Sequence, residues 1–323
     1  MPNTKIRTAV IGLGMGRAHA HAFKEASRAE IRWVVDVNEE RAAKVAEEVG
    51  CRYTTRYEEI LDDVDAVSVC LPHHLHAPVS LKAMEAGKHV LVEKPMANTE
   101  EECLAMIEAA ERKNVKLMVA FPLRYRGPYR KLKEVLDGGE YGRVICANGF
   151  VHGKLPEMPG TWFSRKDQLG GGVLFSHGCH DVDIMIWLLG MPIRSYCVTT
   201  RVGTEWMEGE GTAQCVFEFP SGALGNLSVT WGFPYKDQPA RLQVHTTKAM
   251  LAVTGSKLIV YDAEGRRALY EDPEGVQRTP GFGVIDEIEH FLDCIIEDKE
   301  PMTHGREAMK SLRVIWDLYS RLP

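Results

Sequence analysis

The chain carries no excess of positive charge: 39 Lys and Arg stand against 45 Asp and Glu, a formal net charge of −6. That balance leaves no electrostatic footprint for nucleic acid or for an anionic membrane surface, so neither is an expected partner. Long apolar runs are missing too, and none approaches the ~20 residues a helix needs to cross a bilayer. The stretch Ala9–Leu13 is too short for the core of a signal peptide and runs straight into glycines. No two cysteines form a CxxC pair; the eight are scattered at 51, 70, 103, 146, 179, 197, 215 and 294. In a chain this size such scatter reads as buried, reduced thiols, with neither a disulfide framework nor a zinc cluster, and a cytoplasmic location is expected.

What is present is an ordinary globular composition, 45% hydrophobic and 26% charged over 323 residues. That length supports two cores. In the first 120 or so residues, short β-rich runs at Thr8–Ile11, Ile31–Asp36, Ala66–Leu71, His89–Glu93 and Lys116–Ala120 alternate with helical stretches such as Glu100–Lys113. Continuous apolar strands between helices predict a parallel sheet covered on both faces, wound by right-handed crossovers into a doubly wound α/β domain.

The second half has a different rhythm. Val144–Val151, Ser195–Val202, Thr212–Phe219, Ala223–Trp231, Arg241–Thr247, Met250–Thr254, Leu258–Asp262 and Ala268–Glu271 are strand candidates. Pro220-Ser221-Gly222 and Ala263-Glu264-Gly265 have the chemistry of hairpin connections, so a large, mainly antiparallel open sheet is expected. Helices are predicted at Gly178–Leu189, Ile285–Ile296 and Glu307–Arg321, and a polar helix opening at Arg124. The boundary falls near Leu123, giving domains 1–123 and 124–323.

Chemistry concentrates at a few motifs. Val10-Ile11-Gly12-Leu13-Gly14-Met15-Gly16 runs from a strand into glycines and then a helix, where a bare backbone can approach a pyrophosphate lying on the helix N-terminus. Asp36 ends the second predicted strand, where an acid binds the adenosine ribose hydroxyls and repels a 2′-phosphate. NAD is therefore expected over NADP, although Asp36 could instead cap the following helix. Leu71-Pro72-His73-His74-Leu75-His76 and Glu93-Lys94-Pro95 follow two further strands. Ligands on open α/β sheets bind beyond the carboxyl strand ends, so Leu71, Pro72, His73, His76, Glu93 and Lys94 are cofactor candidates.

The run Ala86-Gly87-Lys88-His89-Val90-Leu91-Val92-Glu93-Lys94-Pro95 resembles the hallmark of the Gfo/Idh/MocA family, the glucose–fructose oxidoreductase and inositol dehydrogenase group. The resemblance continues through Arg124-Tyr125, Gly170-Gly171-Gly172-Val173-Leu174, Gly178-Cys179-His180-Asp181-Val182-Asp183 and Phe219-Pro220-Ser221-Gly222-Ala223-Leu224-Gly225, and so spans nearly the whole chain. It implies a Rossmann domain followed by an α+β domain whose open sheet serves oligomer contacts. It implies that Lys94 and His180 act together in catalysis, and that Arg124, His152, Lys154 and His177 meet the substrate. The chain departs from the pattern where the third glycine comes one residue early, where His73 and Pro122 replace asparagines, and where Ser176 replaces the aspartate of Asp-x-Gly-x-His. A serine can bond a sugar hydroxyl but holds no charge against His180.

Trp162, in a loop flanked by glycine and proline, is a candidate to line a sugar pocket, whereas Trp187 and Trp316 have core-facing helical spacing. His177 and His180 stand three apart, but no strong third ligand accompanies them and hydride transfer needs no metal, so no metal is expected. The expected activity is reversible oxidation of a secondary alcohol on a small polyhydroxylated substrate (a sugar, cyclitol or related polyol) by a homodimer or homotetramer. His180 takes the hydroxyl proton and Lys94 stabilises the alkoxide. Two other readings stand beside it: cleavage or elimination through transient oxidation by bound NAD, and a dinucleotide-sensing regulator without activity. Retention of Lys94 and His180 counts against the second.

Overall fold

In the computed structural model, residues 5–234, 240–273 and 284–322 are described. They fall into two compact units, Met1–Pro122 with Arg278–Met309, and Leu123–Gln277 with Lys310–Pro323. Besides the stretch up to Pro122, the first unit takes in the described residues 284–309, whereas the sequence reading places all of 124–323 in one domain.

The first unit contains β1 (Ile6–Ile11), α1 (Gly16–Glu25), β2 (Ala29–Val35), α2 (Glu39–Val49), β3 (Arg52–Thr54), β4 (Ala66–Val69), α3 (His76–Glu85), β5 (His89–Glu93), α4 (Glu100–Lys113) and β6 (Leu117–Ala120). Its sheet runs β3-β2-β1-β4-β5-β6 with every pairing parallel. The strand order reverses between β1 and β4, where open α/β sheets place their ligands. β4 and β6 are buried at every residue, as strands covered on both faces must be. Five of these strands match the predicted runs. β3 has no apolar signal, because Arg52-Tyr53-Thr54 is an edge strand left largely to solvent. Local chemistry sets the helix ends: Thr99 and Glu102 form a reciprocal capping box on α4, and Asn114 closes it in the left-handed region.

The second unit contains α5 (Gly127–Gly138), β7 (Val144–His152), the one-turn α6 (Lys166–Leu169), α7 (Cys179–Leu189), β8 (Arg194–Thr200), β9 (Thr212–Glu218), β10 (Leu224–Thr230), β11 (Leu242–Thr246), β12 (Met250–Thr254), β13 (Lys257–Asp262) and β14 (Gly265–Glu271). Its eight strands run β14-β13-β12-β11-β7-β10-β9-β8. All neighbours are antiparallel except β7 and β10, whose parallel register pairs Leu224 with Cys146 and Thr230 with His152. The predicted hairpins at Pro220–Gly222 and Ala263–Gly265 join β9 to β10 and β13 to β14. No polar helix opens at Arg124; a short 3₁₀ turn, Pro122–Tyr125, precedes α5, and Arg124 is only 1% exposed.

Two helices close the chain, α8 (Val284–Ile296) and α9 (Gly305–Ser320). Within the first unit α8 packs on α1, burying Ile288, Phe291 and Leu292, the face its periodicity marks. Strand parity decides which residues the large sheet shows to solvent. Val216 is 47% exposed, whereas Leu227 and Val229 are buried. Asn226 is the residue opposite Val216, so Leu227 and Val229 point to the other face.

Candidate cofactor and substrate sites

β1 delivers the chain into Gly12 at a φ of +88°. A Cβ there would lie 2.4 Å from the Cys70 carbonyl oxygen, so only glycine fits. Gly16 serves a different need, since a Cβ on it would come within 2.8 Å of Val10 Cγ1 and push α1 off the sheet. Around Gly14 a Cβ would meet open space, and Met15 beside it is 61% exposed. The first turn of α1 carries no acidic residue and no side-chain cap, so its amides face the open loop. This is a cradle suited to a pyrophosphate.

Asp36 lies just past β2 and is 8% exposed. Its Oδ2 accepts from Leu13 N at 2.9 Å and its Oδ1 from Asn38 N at 2.9 Å. The cap of α2 is Asn38, whose side chain accepts from Arg41 N at 2.9 Å, so Asp36 is not needed for that task. The Arg41 guanidinium approaches Asp36 at 3.4 Å and is otherwise half exposed. The Leu13–Asp36 hydrogen bond joins the glycine loop, Gly12 to Gly16, to the end of β2, an arrangement suited to a dinucleotide with a free ribose 2′-hydroxyl.

Leu71, Pro72 and His73 follow β4, and His76 opens α3. The His76 ring is fully buried, with Nε2 2.8 Å from the Leu71 carbonyl and Nδ1 2.7 Å from the Pro95 carbonyl. His76 therefore ties the ends of β4 and β5 together. Burial pushes its pKa below the ordinary histidine range, and the neutral ring donates its single N–H to one of these two carbonyls. His73, 5% exposed, stacks obliquely on it with ring centroids 5.6 Å apart. Beyond β5, the Lys94 amide donates to Glu93 Oε2 at 3.0 Å, and the Lys94–Pro95 bond is cis.

Glu93 is held in turn by a residue that motif reading leaves aside. His19, on the inner side of α1 and 0% exposed, places Nε2 3.1 Å from Glu93 Oε1 and Nδ1 2.9 Å from Ser68 Oγ. Burial opposes the imidazolium, but Cys70 and Glu93 outweigh it and hold His19 well above the usual histidine range. Burial likewise opposes the Glu93 carboxylate, and His19, Lys94 and His76 overcome it and lower its pKa. The two form a buried ion pair whose carboxylate also accepts from the Lys94 backbone amide. A glycine-loop histidine at Gly16 plus three is the signal that could have exposed it, since that spacing turns the side chain back toward the sheet.

In the second unit Ser176, His177 and Gly178 lie on a π-helical turn, Leu174–Gly178, that leads into α7. Such turns often mark functional sites. His177 and His180 are both partly exposed, with ring centroids 6.0 Å apart, while Ser176 is buried at 4%. His177 lines a cavity of about 270 Å³ together with His152, Trp231, Arg241, Phe150 and Thr230. His152 Nε2 meets Ser228 Oγ at 2.7 Å, and burial lowers its pKa, so it is neutral near pH 7. Trp162 stacks on Phe163 at 4.0 Å, and Phe163 meets the Trp231 ring edge-on at 6.1 Å. Lys154 is exposed beside this group, bridged through its backbone to Gly232.

Arg124 lies apart from these residues in environment. Its guanidinium is bound bidentately by Asp183, at 2.8 and 2.7 Å, with both side chains 2% exposed. Trp231 and Arg241 are cavity residues that no motif announces. Arg241 is held by both oxygens of Asp181, at 3.0 and 2.8 Å. Among the described residues, no group of three His, Cys, Asp or Glu side chains is arranged to hold a metal ion. No helix among them is long and apolar enough to cross a membrane.

Comparison with known proteins agrees with this arrangement. Residues 6–121 match the model of an oxidoreductase family with an NAD-binding Rossmann fold, and residues 129–252 match the GFO/IDH/MocA C-terminal domain. The chain is 31% identical to a 1,5-anhydro-D-fructose reductase of Ensifer adhaerens, over 89% of this chain and 87% of that one. It is 29% identical to the NAD(+)-dependent scyllo-inositol 2-dehydrogenase of Bacillus subtilis, over 96% and 92%. The solved structure of an aldose–aldose oxidoreductase from Caulobacter crescentus superposes with a TM-score of 0.87 at 26% identity, covering 98% of this chain and 97% of that one. With a glycine cradle, an acid at the end of β2 and matching models for both halves, the chain belongs to the GFO/IDH/MocA family of NAD-binding oxidoreductases.

Proposed function

We propose that this enzyme reversibly oxidises a secondary alcohol of a sugar, cyclitol or related polyol. The observation that carries the reading is the anchorage of Lys94: a charged side chain at the carboxyl end of β5, its backbone amide bonded by a glutamate that His19 holds in a buried ion pair. When bound, NAD supplies the hydride acceptor or donor. His180 takes the proton from the substrate hydroxyl, a task suited to an imidazole whose unperturbed pKa of about 6.5 lies near working pH. Lys94 donates a hydrogen bond to the same oxygen and stabilises the charge that develops on it. Arg124, His152, Lys154, Trp162, Ser176 and His177 are the residues assigned to the substrate. His152 contributes a neutral donor and acceptor, His177 a second imidazole, Trp162 an apolar face for a sugar ring, and Ser176 one hydroxyl where the Asp-x-Gly-x-His pattern carries a charge. Arg124 contributes a guanidinium whose orientation is held by Asp183.

Polyols, inositols and keto-sugars screened by NADH absorbance test this reading. Turnover on members of one stereochemical class supports it. Release of a free sugar without net NADH would replace it with cleavage through transient oxidation, and binding of NADH with no turnover on any compound would make the chain a sensor.

We infer in addition that the enzyme works in the cytoplasm, a location that suits eight scattered cysteines with no disulfide between them. It assembles as a homodimer or homotetramer. Tyr196, Val198, Val216 and Leu224 form an exposed apolar stripe across β8, β9 and β10, a surface that a second copy would cover.

A further inference from the structure

Cys197 on β8 and Cys215 on β9 are direct partners across the two strands, and their Sγ atoms lie 3.3 Å apart. Antiparallel partners have Cα atoms about 4.5 or 5.5 Å apart, according to the kind of pair. A disulfide spans Cα separations of roughly 4.4–6.8 Å, so either kind of pair accommodates one. Closing the sulfurs to bonding distance therefore needs side-chain rotation and leaves the strands where they are. Both cysteines share the face of Ser195, Ala213 and Phe217, which are buried, opposite the face of Tyr196 and Val216. Cys215 is buried, while Cys197 is partly open to solvent on the strand that ends the sheet.

We propose that Cys197 and Cys215 are a redox-modifiable dithiol that a hydroperoxide converts into a cross-strand disulfide. The Cys197 thiolate attacks one oxygen of the peroxide; an S–O bond forms as the O–O bond breaks, the other oxygen takes a proton and leaves as water, and Cys197 becomes a sulfenic acid. The Cys215 sulfur then attacks that sulfenic sulfur, forming the S–S bond and expelling a second water. In sum two thiols lose two electrons and two protons to one hydrogen peroxide, which becomes two waters. The hydrogen bond from Cys215 to Cys197 supports this division of roles. It lowers the Cys197 pKa and raises that of Cys215, so the exposed sulfur attacks and the buried one resolves. A thiol reductant reverses the reaction. The proposal is independent of the substrate and of the roles of Lys94 and His180.

Treating the intact protein with hydrogen peroxide, blocking residual thiols under denaturing conditions and mapping the peptides tests it. Two of the eight thiols should disappear, dithiothreitol should restore them, and the peptide bearing Cys197 should be joined to that bearing Cys215. Cys197→Ser should abolish the reversible loss, whereas Cys51→Ser and Cys146→Ser, at the other partly exposed cysteines, should leave it intact. Linkage of other cysteines, sulfinic acid on Cys197 without a linked peptide, or no thiol consumption in the wild-type protein would each overturn the proposal, whether or not the variants fold.

Discussion

His19 Nε2 lies 3.1 Å from Glu93 Oε1, joining α1 to the end of β5 in a pair that solvent barely reaches. The contact ties the glycine loop and the Glu93-Lys94-Pro95 turn into one rigid piece. One element carries the cradle for a pyrophosphate, the other the lysine assigned to the reacting oxygen. Removing one member of a buried pair strands the other charge, at a cost of about 3–5 kcal/mol. The ion pair thus links the helix that follows the glycine loop to the turn that carries Lys94.

Glu287 bears on the same buried cluster from α8. It is 0% exposed, and burial, with Glu93 adding to the effect and His19 opposing it, holds its pKa well above the usual carboxyl range. From the ordinary carboxyl range upward the unfolded chain loses this proton while the folded chain keeps it, so stability falls as pH rises until the folded pKa is passed. Glu287→Gln should therefore raise the thermal midpoint at pH 8 and leave it nearly unchanged at pH 4.5. Equal shifts at both pH values in calorimetry would show that ionisation of Glu287 is not the cause.

The loop glycines should separate fold from binding. Gly12→Ala meets both a positive φ and the Cys70 carbonyl, and should cost about 1–3 kcal/mol or more of stability. Gly14→Ala has room. It should keep the wild-type unfolding midpoint yet weaken NADH binding, because its methyl fills the cradle. Thermal unfolding and fluorescence titration of both variants measure this, and the reverse pattern would refute the assignment of the loop.

Asp36 should make the enzyme favour NADH over NADPH by at least tenfold, about 1.4 kcal/mol, since a 2′-phosphate would meet a largely buried carboxylate. Asp36→Ser should narrow the gap by freeing Arg41, which lies 3.4 Å away. Equal or tighter binding of NADPH by the unaltered protein would transfer the dominant role to Arg41.

Replacing His180 with Ala should lower turnover roughly 10²–10⁴-fold, the usual range for a lost general base, with NADH affinity nearly unchanged. Lys94→Ala should also reduce turnover. Ser176→Ala should be far milder, because a neutral hydroxyl contributes one hydrogen bond of about 0.5–1.5 kcal/mol. Steady-state kinetics on the best substrate of the polyol screen decide the matter. Near-full activity of His180→Ala beside an inactive Ser176→Ala would mean that the base is misassigned.

Light scattering should give a mass of at least twice 36.2 kDa. Placing a charge on the exposed stripe, as Val216→Asp or Tyr196→Asp, should shift the protein toward monomer without unfolding it. A constant monomer mass on dilution of the wild-type chain would exclude the sheet as an assembly surface.

Read residue by residue, the sequence by itself determined the two sheet types, most strand positions, the glycine cradle, Asp36 and the Glu93-Lys94-Pro95 turn. Each of these is local: a period of two or 3.6, a glycine where φ is positive, an acid at a strand end. What only the tertiary structure decided is partnership across long stretches of chain. His19 finds Glu93 at a separation of 74 residues, Arg124 finds Asp183 at 59, and Arg241 finds Asp181 at 60. Residues 284–309 join the first unit although they follow the second sheet in the chain. Leu227 and Val229 turn inward because register, a property of strand pairs, sets which parity faces solvent. Periodicity says that a face is apolar, but which surface buries it, and which buried charge answers another, is settled only when the elements dock.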